Sequence, residues 1–167
     1  ALTRIGDLWN HDHAGVFVEH RATAVVIDIL SRLRSLVLVE TGAPRAVGCA
    51  PTGDPYVVPT LAVAAVLAGE GFDVTNLGPE TPMSSLALAV ERVRPKIAWI
   101  SSSTPPGADT VVAGVESVMR TAAEAGAALA VGGRSFEADA RRLPAGIFQC
   151  RTIGELSAFA RGLQTVA

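Results

Sequence analysis

Hydrophobic residues from position 44 onward fall into short runs that alternate with longer segments of helical periodicity. The short runs predict five strands, at Ala46–Ala50, Phe72–Leu77, Ile97–Ser101, Ala127–Val131 and Ile147–Cys150. The segments between and after them predict five helices, at Val57–Gly69, Pro82–Arg94, Thr110–Ala125, Phe136–Leu143 and Ile153–Leu163. Strands that alternate with helices form right-handed crossovers and a parallel sheet. We therefore predict that residues 44–167 form a flavodoxin-like, doubly wound five-stranded parallel sheet, a Rossmann-like domain.

Residues 1–43 show helical rather than strand periodicity. An apolar face begins near the amino terminus, is interrupted by the polar stretch 10–15, and resumes over Val16–Val37. One long helix and part of another cannot enclose a core. The segment must therefore pack on the following domain, on helices further upstream or on another subunit. We interpret it as a helical cap, part of a truncated four-helix bundle.

Composition and charge argue against several classes of function. The 167 residues carry a net charge of −2 and no basic stripe, so this segment is not expected to bind nucleic acid directly. The longest apolar stretch, Val57–Ala68, is shorter than the roughly 20 residues that a membrane-spanning helix needs. No charged-then-apolar leader follows Ala1, and the absence of an initial Met is consistent with further domains upstream. Cys49 and Cys150 are expected to be reduced thiols of a cytoplasmic protein.

Four loops follow the predicted strands and are expected to meet at one rim of the sheet, where ligands of open α/β sheets bind. They span residues 52–56, 77–82, 101–107 and 132–135. Small residues and hydroxyl groups dominate these loops, so a large flat ligand could lie close to the backbone.

These loops lack the motifs of other ligand sites found on this fold. Thr52-Gly53 and Gly132-Gly133 are too sparse for a dinucleotide or Walker motif. The third strand ends in serines and the only lysine is Lys96, which argues against a phosphorylated receiver domain. All three histidines precede residue 21, with no nucleophile elbow in the chain and no cysteine beside them to complete a zinc site.

The rim loops resemble those of the cobalamin-binding Rossmann-like domain. The resemblance rests on Gly53-Asp54-Pro55-Tyr56, on Ser101-Ser-Ser103 and on Gly132-Gly133. Family members read Asp-x-His-x-x-Gly, then Ser-x-Leu or Ser-x-Thr, then Gly-Gly. There the His ligates cobalt from below, and the freed nucleotide tail enters the domain beside the serines and the Gly-Gly. The resemblance implies cobalamin contacts from Gly53, Asp54, Tyr56, Val57, Leu77, Gly78, Ser101, Ser103, Gly132 and Gly133.

The helical segment resembles one subfamily, the CarH-type light-sensing regulators. Trp9, Val16, Glu19 and His20 match its pattern Trp-x9-Glu-His, with an apolar residue seven positions after the Trp. In that subfamily a four-helix bundle covers the upper face of adenosylcobalamin, and these side chains surround the adenosyl group. A Trp and a Val supply an apolar wall, and Glu and His supply donors and acceptors. The alternative from spacing alone is that Trp9 and His20 are core residues.

Two positions depart from these patterns. The lower-ligand position carries Tyr56 rather than His, so Asp54 has no imidazole to orient. The residue after the Trp is Asn10, where the subfamily has a His that ligates cobalt after photolysis. His11 and His13 lie nearby and either replace that ligand or are solvated surface residues.

Three interpretations of the corrinoid site follow from these departures. Cobalamin binds with its tail base off and Tyr56 beneath the metal, or it keeps its own base coordinated while Tyr56 packs against that base. In the third interpretation the site has changed to another ligand or to none.

The resemblance implies a sensory module that catalyses no reaction itself. Light removes the adenosyl group from adenosylcobalamin, and the cap then shifts against the sheet and controls oligomerisation or a linked output domain, such as a transcriptional regulator. One alternative is a corrinoid methyl carrier that partners a methyltransferase. Another is an interaction module without a cofactor.

Overall fold

The computed structural model describes residues 13–103, 108–138 and 143–164. Seven elements precede the fourth strand in chain order: α1 His13–Leu36, β1 Arg45–Cys49, α2 Val57–Gly69, β2 Asp73–Asn76, α3 Met83–Val93, β3 Ile97–Ser101 and α4 Ala108–Ala125. The remaining elements are β4 Ala128–Gly132, α5 Arg134–Ala138, β5 Phe148–Cys150 and α6 Ile153–Gln164.

The five strands form one parallel sheet in the order β2-β1-β3-β4-β5. In the register of its centre, Ala46 of β1 lies opposite Val74 of β2 on one side and Ile97 of β3 on the other. The predicted doubly wound fold is confirmed, and most predicted ends lie within two residues of the observed ones. Of the helix predicted at 136–143, residues 139–142 lie outside the described part of the chain.

Two apolar layers cover the two faces of the sheet, as buried parallel strands require. On one face α3 and α4 pack over alternate strand residues, in a cluster that includes Leu86, Val115 and Ile100. On the other face α2 and α6 pack over the intervening strand residues, in a cluster that includes Leu67 of α2 and Trp99 of β3.

Helix α1 packs against α2, outside the sheet layers. It begins at His13, inside the polar stretch that was expected to interrupt the apolar face, and it ends at Leu36, one residue before the end of the predicted apolar face. Its other side leaves large apolar side chains exposed along the whole helix. Phe17 near the start is 73% exposed, and Leu36 at the end is 76% exposed. The contact of this side with upstream helices or another subunit, and the division of the chain into 1–43 and 44–167, remain predictions.

The direction of α1 follows from its carboxyl-terminal contacts. Arg34 Nη2 donates to the carbonyl of Val74 in β2 at 3.4 Å, and the chain reaches the start of β1 nine residues after α1 ends. With 24 residues against 13 in α2, α1 is roughly 16 Å longer than the helix it packs on. Its amino-terminal turns therefore lie toward the carboxyl ends of the strands, the side of the rim loops. None of the described helices is long and apolar enough to cross a membrane.

Candidate functional site

Asp54 is the central residue of the rim, although only 2% of its surface is exposed. Its Oδ1 accepts a hydrogen bond from the backbone N–H of Tyr56 at 3.0 Å, and its Oδ2 accepts one from the N–H of Ser103 at 2.5 Å. The carboxylate therefore ties the loop after β1 to the loop after β3. The structure gives Asp54 a bracing role that does not depend on an imidazole at position 56.

A second set of bonds ties the loop after β1 to the loop after β2. The N–H of Gly53 donates to Glu80 Oε2 at 2.8 Å, and the N–H of Glu80 donates to the carbonyl of Asp54 at 3.2 Å. Thr52 N donates to the carbonyl of Thr81 at 3.1 Å. These contacts extend the pairing of the two strands into the rim, so that, with the bond from Ser103 to Asp54, hydrogen bonds join all three loops.

The loop after β2 owes its shape to a strained residue and a buried hydroxyl. Glu80 has a φ of 52°, a left-handed conformation that non-glycine residues rarely adopt. The hydroxyl of Thr81, which is buried, lies within 3.2–3.4 Å of three carbonyl oxygens of the same loop. Neither residue was predicted as part of the site. The only sequence signal was the position of the loop after a strand.

Among the described residues, four exposed or half-buried ones form the upper surface of the rim, and we call them the rim platform: Gly53, Tyr56, Leu77 and Gly78. Tyr56 is 51% exposed and precedes the first turn of α2. A Cβ added to either glycine would meet no atom within 4 Å, which leaves the backbone accessible from above. Leu77 is 37% exposed and contributes an apolar edge.

The predicted serines after β3 and the Gly132–Gly133 pair after β4 lie next to each other, below the platform. Ser101 is buried at the end of β3, opposite Gly132. Ser102 Oγ donates to Ser135 Oγ at 3.0 Å. A Cβ on Gly133 would lie 2.1 Å from the carbonyl oxygen of Ser102, so the glycine is needed for internal packing. Val57, half-buried in the first turn of α2, completes the set of predicted rim residues.

The predicted cap residues belong to the amino-terminal turns of α1. Val16 is half-buried, and His20 is exposed with its Nε2 3.6 Å from Glu19 Oε2. Glu19 Oε1 also accepts a hydrogen bond from Thr23 Oγ1 at 2.8 Å. Among the described residues nothing covers the imidazole, and its role as a cap or a core residue remains a prediction. Trp9 and His11 lie outside the described residues, as does the side chain of His13.

Both cysteines are free and lie at strand ends. Burial raises the pKa of the Cys49 thiol from 9.0 to about 12, although a hydrogen bond with Thr81 lowers it in part. Burial, with the nearby charge of Glu155, raises the pKa of Cys150 from 9.0 to about 12. Both thiols stay protonated at neutral pH, so neither is a ready nucleophile or metal ligand. Among the residues that the structure describes, no cluster of His, Cys, Asp and Glu could hold a metal ion.

A separate cavity of about 560 Å³ lies at the opposite end of the sheet, where the strands begin. It is lined by the segment 40–45 and by Asp73, Arg94 and Lys96, with charges of both signs. It shares no residue with the rim, and no motif of the sequence points to it.

The rim platform suits the corrin ring of a cobalamin. Open backbone at Gly53 and Gly78, beside the exposed ring of Tyr56, can receive the flat face of a macrocycle. Below the platform, Ser101 is buried and the Gly132–Gly133 pair is half-buried. The platform residues therefore fit the corrin ring.

Several predicted residues are brought together and others are not. Gly53, Tyr56 and Gly78 lie on the rim with Leu77, as predicted, and Asp54 is buried beneath them. The serines and the Gly-Gly pair follow β3 and β4 and are buried or half-buried. The contacts of Glu80 and Thr81 with the loop after β1 were missed, because a bond between two loops has no signature in either loop alone.

No protein-family model matches the chain. Over 105 residues, 63% of this chain, it is 28% identical to the HTH-type transcriptional repressor CarA of Myxococcus xanthus. The chain spans about a third of the length of that curated relative, 36%.

Solved structures of corrinoid proteins share the architecture over nearly the whole chain. The monomethylamine corrinoid protein of Methanosarcina barkeri matches with a TM-score of 0.67 and 13% identity, covering 97% of this chain and 78% of that one. The methanol:cobalamin methyltransferase complex of the same organism matches with a TM-score of 0.64 and 17% identity, covering 99% and 63%. A cobalamin-binding protein of Desulfitobacterium hafniense matches with a TM-score of 0.56 and 17% identity, covering 98% and 75%. The chain therefore has the fold of corrinoid and cobalamin-binding proteins.

Proposed function

We propose that this chain is a sensory cobalamin-binding module, with adenosylcobalamin held between the rim platform and the amino-terminal turns of α1. The observation that carries the proposal is the open platform of Gly53, Tyr56, Leu77 and Gly78, fixed from below by Asp54. This carboxylate is bonded to two loops, and such bonds favour one arrangement of the platform, which lowers the entropic cost of binding. The similarity to CarA and the shared fold support the corrinoid as ligand.

The upper side of the ligand is assigned to α1. Glu19 and His20 offer a hydrogen-bond acceptor and a donor in the amino-terminal turns of α1, which extend beyond α2. Val16 offers apolar surface in the same turns. When bound, adenosylcobalamin supplies light absorption and a photolabile cobalt–carbon bond. The residues of α1 would contact the adenosyl group only while it is attached. Loss of the adenosyl group would therefore change the preferred position of α1 against α2. The module itself catalyses no reaction, and it acts on an oligomeric contact or a linked output domain.

The proposal is tested by mixing the purified chain with adenosylcobalamin in the dark and separating the mixture by gel filtration. We expect the corrin absorption to coelute with the protein, and green light to change both the spectrum and the elution volume. A protein peak without corrin absorption would reject cobalamin binding and favour the interaction module. Retained cofactor with no light-dependent change of the protein would reject the sensor and favour a carrier.

Placing an imidazole at position 56 tests whether Tyr56 lies beneath the cobalt. In Tyr56→His, bound adenosylcobinamide, which has no lower base of its own, should change to the spectrum of a nitrogen-ligated corrinoid. Leu88→His is the matched control, because Leu88 is also 51% exposed but belongs to α3. An unchanged spectrum in Tyr56→His, or the same change in both variants, would place the metal elsewhere.

A methyl carrier is the second candidate function. Its support is the structural similarity to the monomethylamine corrinoid protein and to the methanol:cobalamin methyltransferase complex, the two highest TM-scores above. Against it, Tyr56 gives no imidazole to hold cobalt during methyl transfer. Methylcobalamin bound as tightly as adenosylcobalamin, together with insensitivity of the protein to light, would favour the carrier.

A further inference from the structure

The cavity at the amino-terminal end of the sheet is lined by charged side chains from several parts of the fold. Its volume of about 560 Å³ lies within the range of small-molecule sites in proteins. Its cations are Arg45 at the start of β1, Arg94 directly after α3 and Lys96 directly before β3. Its acids are Glu40, between α1 and β1, and Asp73 at the start of β2. Because its described lining includes no large apolar side chain, the cavity suits a polar ligand.

The sheet places these charges on one face. The N–H of Lys96 donates to the carbonyl of Arg45 at 2.8 Å, and on the other side Asp73 is the register partner of Arg45. Side chains that are level on adjacent parallel strands point to the same face. Val47, two residues after Arg45, packs in the layer under α3 and α4, so the row faces these helices. Arg94 reaches the cavity from the end of α3.

No ion pair within the described part of the chain neutralises these five charges. The ion pairs there join Glu19 to His20, Asp28 to Arg32 and Glu70 to Arg161. Arg94 Nη2 makes one long contact, with the carbonyl of Glu124 at 3.5 Å. The dipole of α3 favours a cation at position 94, but Arg45 and Lys96 lie at the starts of strands. Lys96 is half-buried, so its ammonium gives up part of its hydration without gaining an acidic partner.

Three cations around one recess match the charge of a phosphate group. A phosphate monoester carries a charge of about −1.5 to −2 at neutral pH and three strong acceptor oxygens. Guanidinium groups bind such oxygens through two parallel hydrogen bonds, and an ammonium adds a point charge. A single carboxylate, with one negative charge, would leave more of the positive charge unmatched.

The acids of the cavity determine the rest of the ligand. Glu40 and Asp73 would repel a second phosphate, but their oxygens accept hydrogen bonds from hydroxyl groups. Thr41 adds a hydroxyl that can donate or accept. The described lining contains no aromatic ring on which a nucleobase would stack. These features favour a sugar phosphate over a nucleotide.

We propose that this cavity binds a small phosphate ester with free hydroxyl groups, and that Arg45, Arg94 and Lys96 hold its phosphate. The site lies at the end of the sheet opposite the rim platform, so it is independent of the proposed corrinoid site. One wall is the connection between α1 and β1, where Gly42 has a φ of 86° and an added Cβ would meet no atom within 4 Å. A bound ligand would therefore contact this connection and restrain the end of α1 that leads into it.

The test titrates the ¹⁵N-labelled protein with glucose 6-phosphate and follows its backbone amide signals by NMR. We expect the signals of residues 40–45 and Lys96 to shift and saturate, with a dissociation constant below about 1 mM. Inorganic phosphate should bind at least about threefold more weakly, because it lacks the hydroxyl groups of the sugar. Glucose alone should cause no shift. Absence of a saturable shift in residues 40–45 would overturn the site, and phosphate bound as tightly as the ester would overturn the role of the two acids.

Two variants test whether the cavity or general surface charge attracts the ligand. Lys96→Met removes the ammonium and keeps a chain of similar length, and it should weaken binding of glucose 6-phosphate at least about tenfold. Arg92→Met is the matched control, because Arg92 is an exposed cation in the last turn of α3 that does not line the cavity. The control should stay within about twofold of the unmodified protein. Equal weakening in both variants would contradict a specific site. Thermal unfolding of each variant confirms that the titrated protein is folded.

Discussion

Gly133→Ala should destabilise the domain more than any other single methyl addition at the rim. The new Cβ would fall 2.1 Å from the carbonyl oxygen of Ser102 and 2.8 Å from its carbonyl carbon, atoms of backbone that cannot rotate away. Its φ of 106° adds the cost of a left-handed alanine. Overpacking and backbone strain together should lower the free energy of unfolding by about 4 kcal/mol. Thermal unfolding followed by circular dichroism measures the loss, which corresponds to roughly 10 °C or more.

Gly146→Ala separates the clash from the strain. Gly146 has a similar φ of 95°, but an added Cβ there would meet no atom within 4 Å. This control should lose only about 1–2 kcal/mol, the cost of the backbone conformation. Equal losses in the two variants would show that the close approach of Gly133 to Ser102 contributes nothing to stability.

Asp54→Ala should weaken both the fold and corrinoid binding. The change leaves the N–H groups of Tyr56 and Ser103 without their carboxylate acceptor. Hydrogen bonds to a charged group contribute about 1.5–3 kcal/mol each, and part of this is regained because a buried charge is removed. We expect a net loss of about 2–3 kcal/mol, together with at least tenfold weaker binding of adenosylcobalamin. Denaturant unfolding and an absorbance titration measure the two effects on the same protein.

Two further variants identify the cause of the Asp54 effect. Asp54→Asn keeps an acceptor for Tyr56 and turns an amide N–H₂ toward the N–H of Ser103, so its loss should be intermediate. Asp28→Ala removes an exposed carboxylate that pairs with Arg32 on α1, and it should cost about 0.5 kcal/mol or less. A loss in Asp54→Ala no greater than in Asp28→Ala would contradict the bracing role.

The sheet could be predicted because its signals are local. The run Ile97–Ile100 is apolar throughout, as a strand buried on both faces requires, and the helix Val57–Gly69 was predicted with its observed ends. Gly71 and Gly126 follow helices and have φ values of 85° and 71°, the left-handed conformation common where helices end. Periodicity and turn residues act within a few positions, so one sequence is enough to locate them.

The contents of the rim were predicted only in part. The loops were placed correctly because the carboxyl ends of parallel strands meet at one edge. The bond from Ser103 to Asp54 joins residues 49 positions apart, and that from Gly53 to Glu80 joins residues 27 apart. Nothing in either loop indicates such a partner. The cap residue Trp9, on which much of the family resemblance depends, lies outside the described residues.

The sequence by itself determined the doubly wound fold, the loops that form the rim, and the absence of His at position 56. Tertiary structure decided what surrounds that position. It shows Asp54 as a brace between loops and Tyr56 as half-exposed platform, with the indole of Trp99 seated on Gly48 beneath. The physical reason is that hydrophobic periodicity acts along the chain, whereas packing volume and buried hydrogen bonds join residues that only the folded sheet brings together.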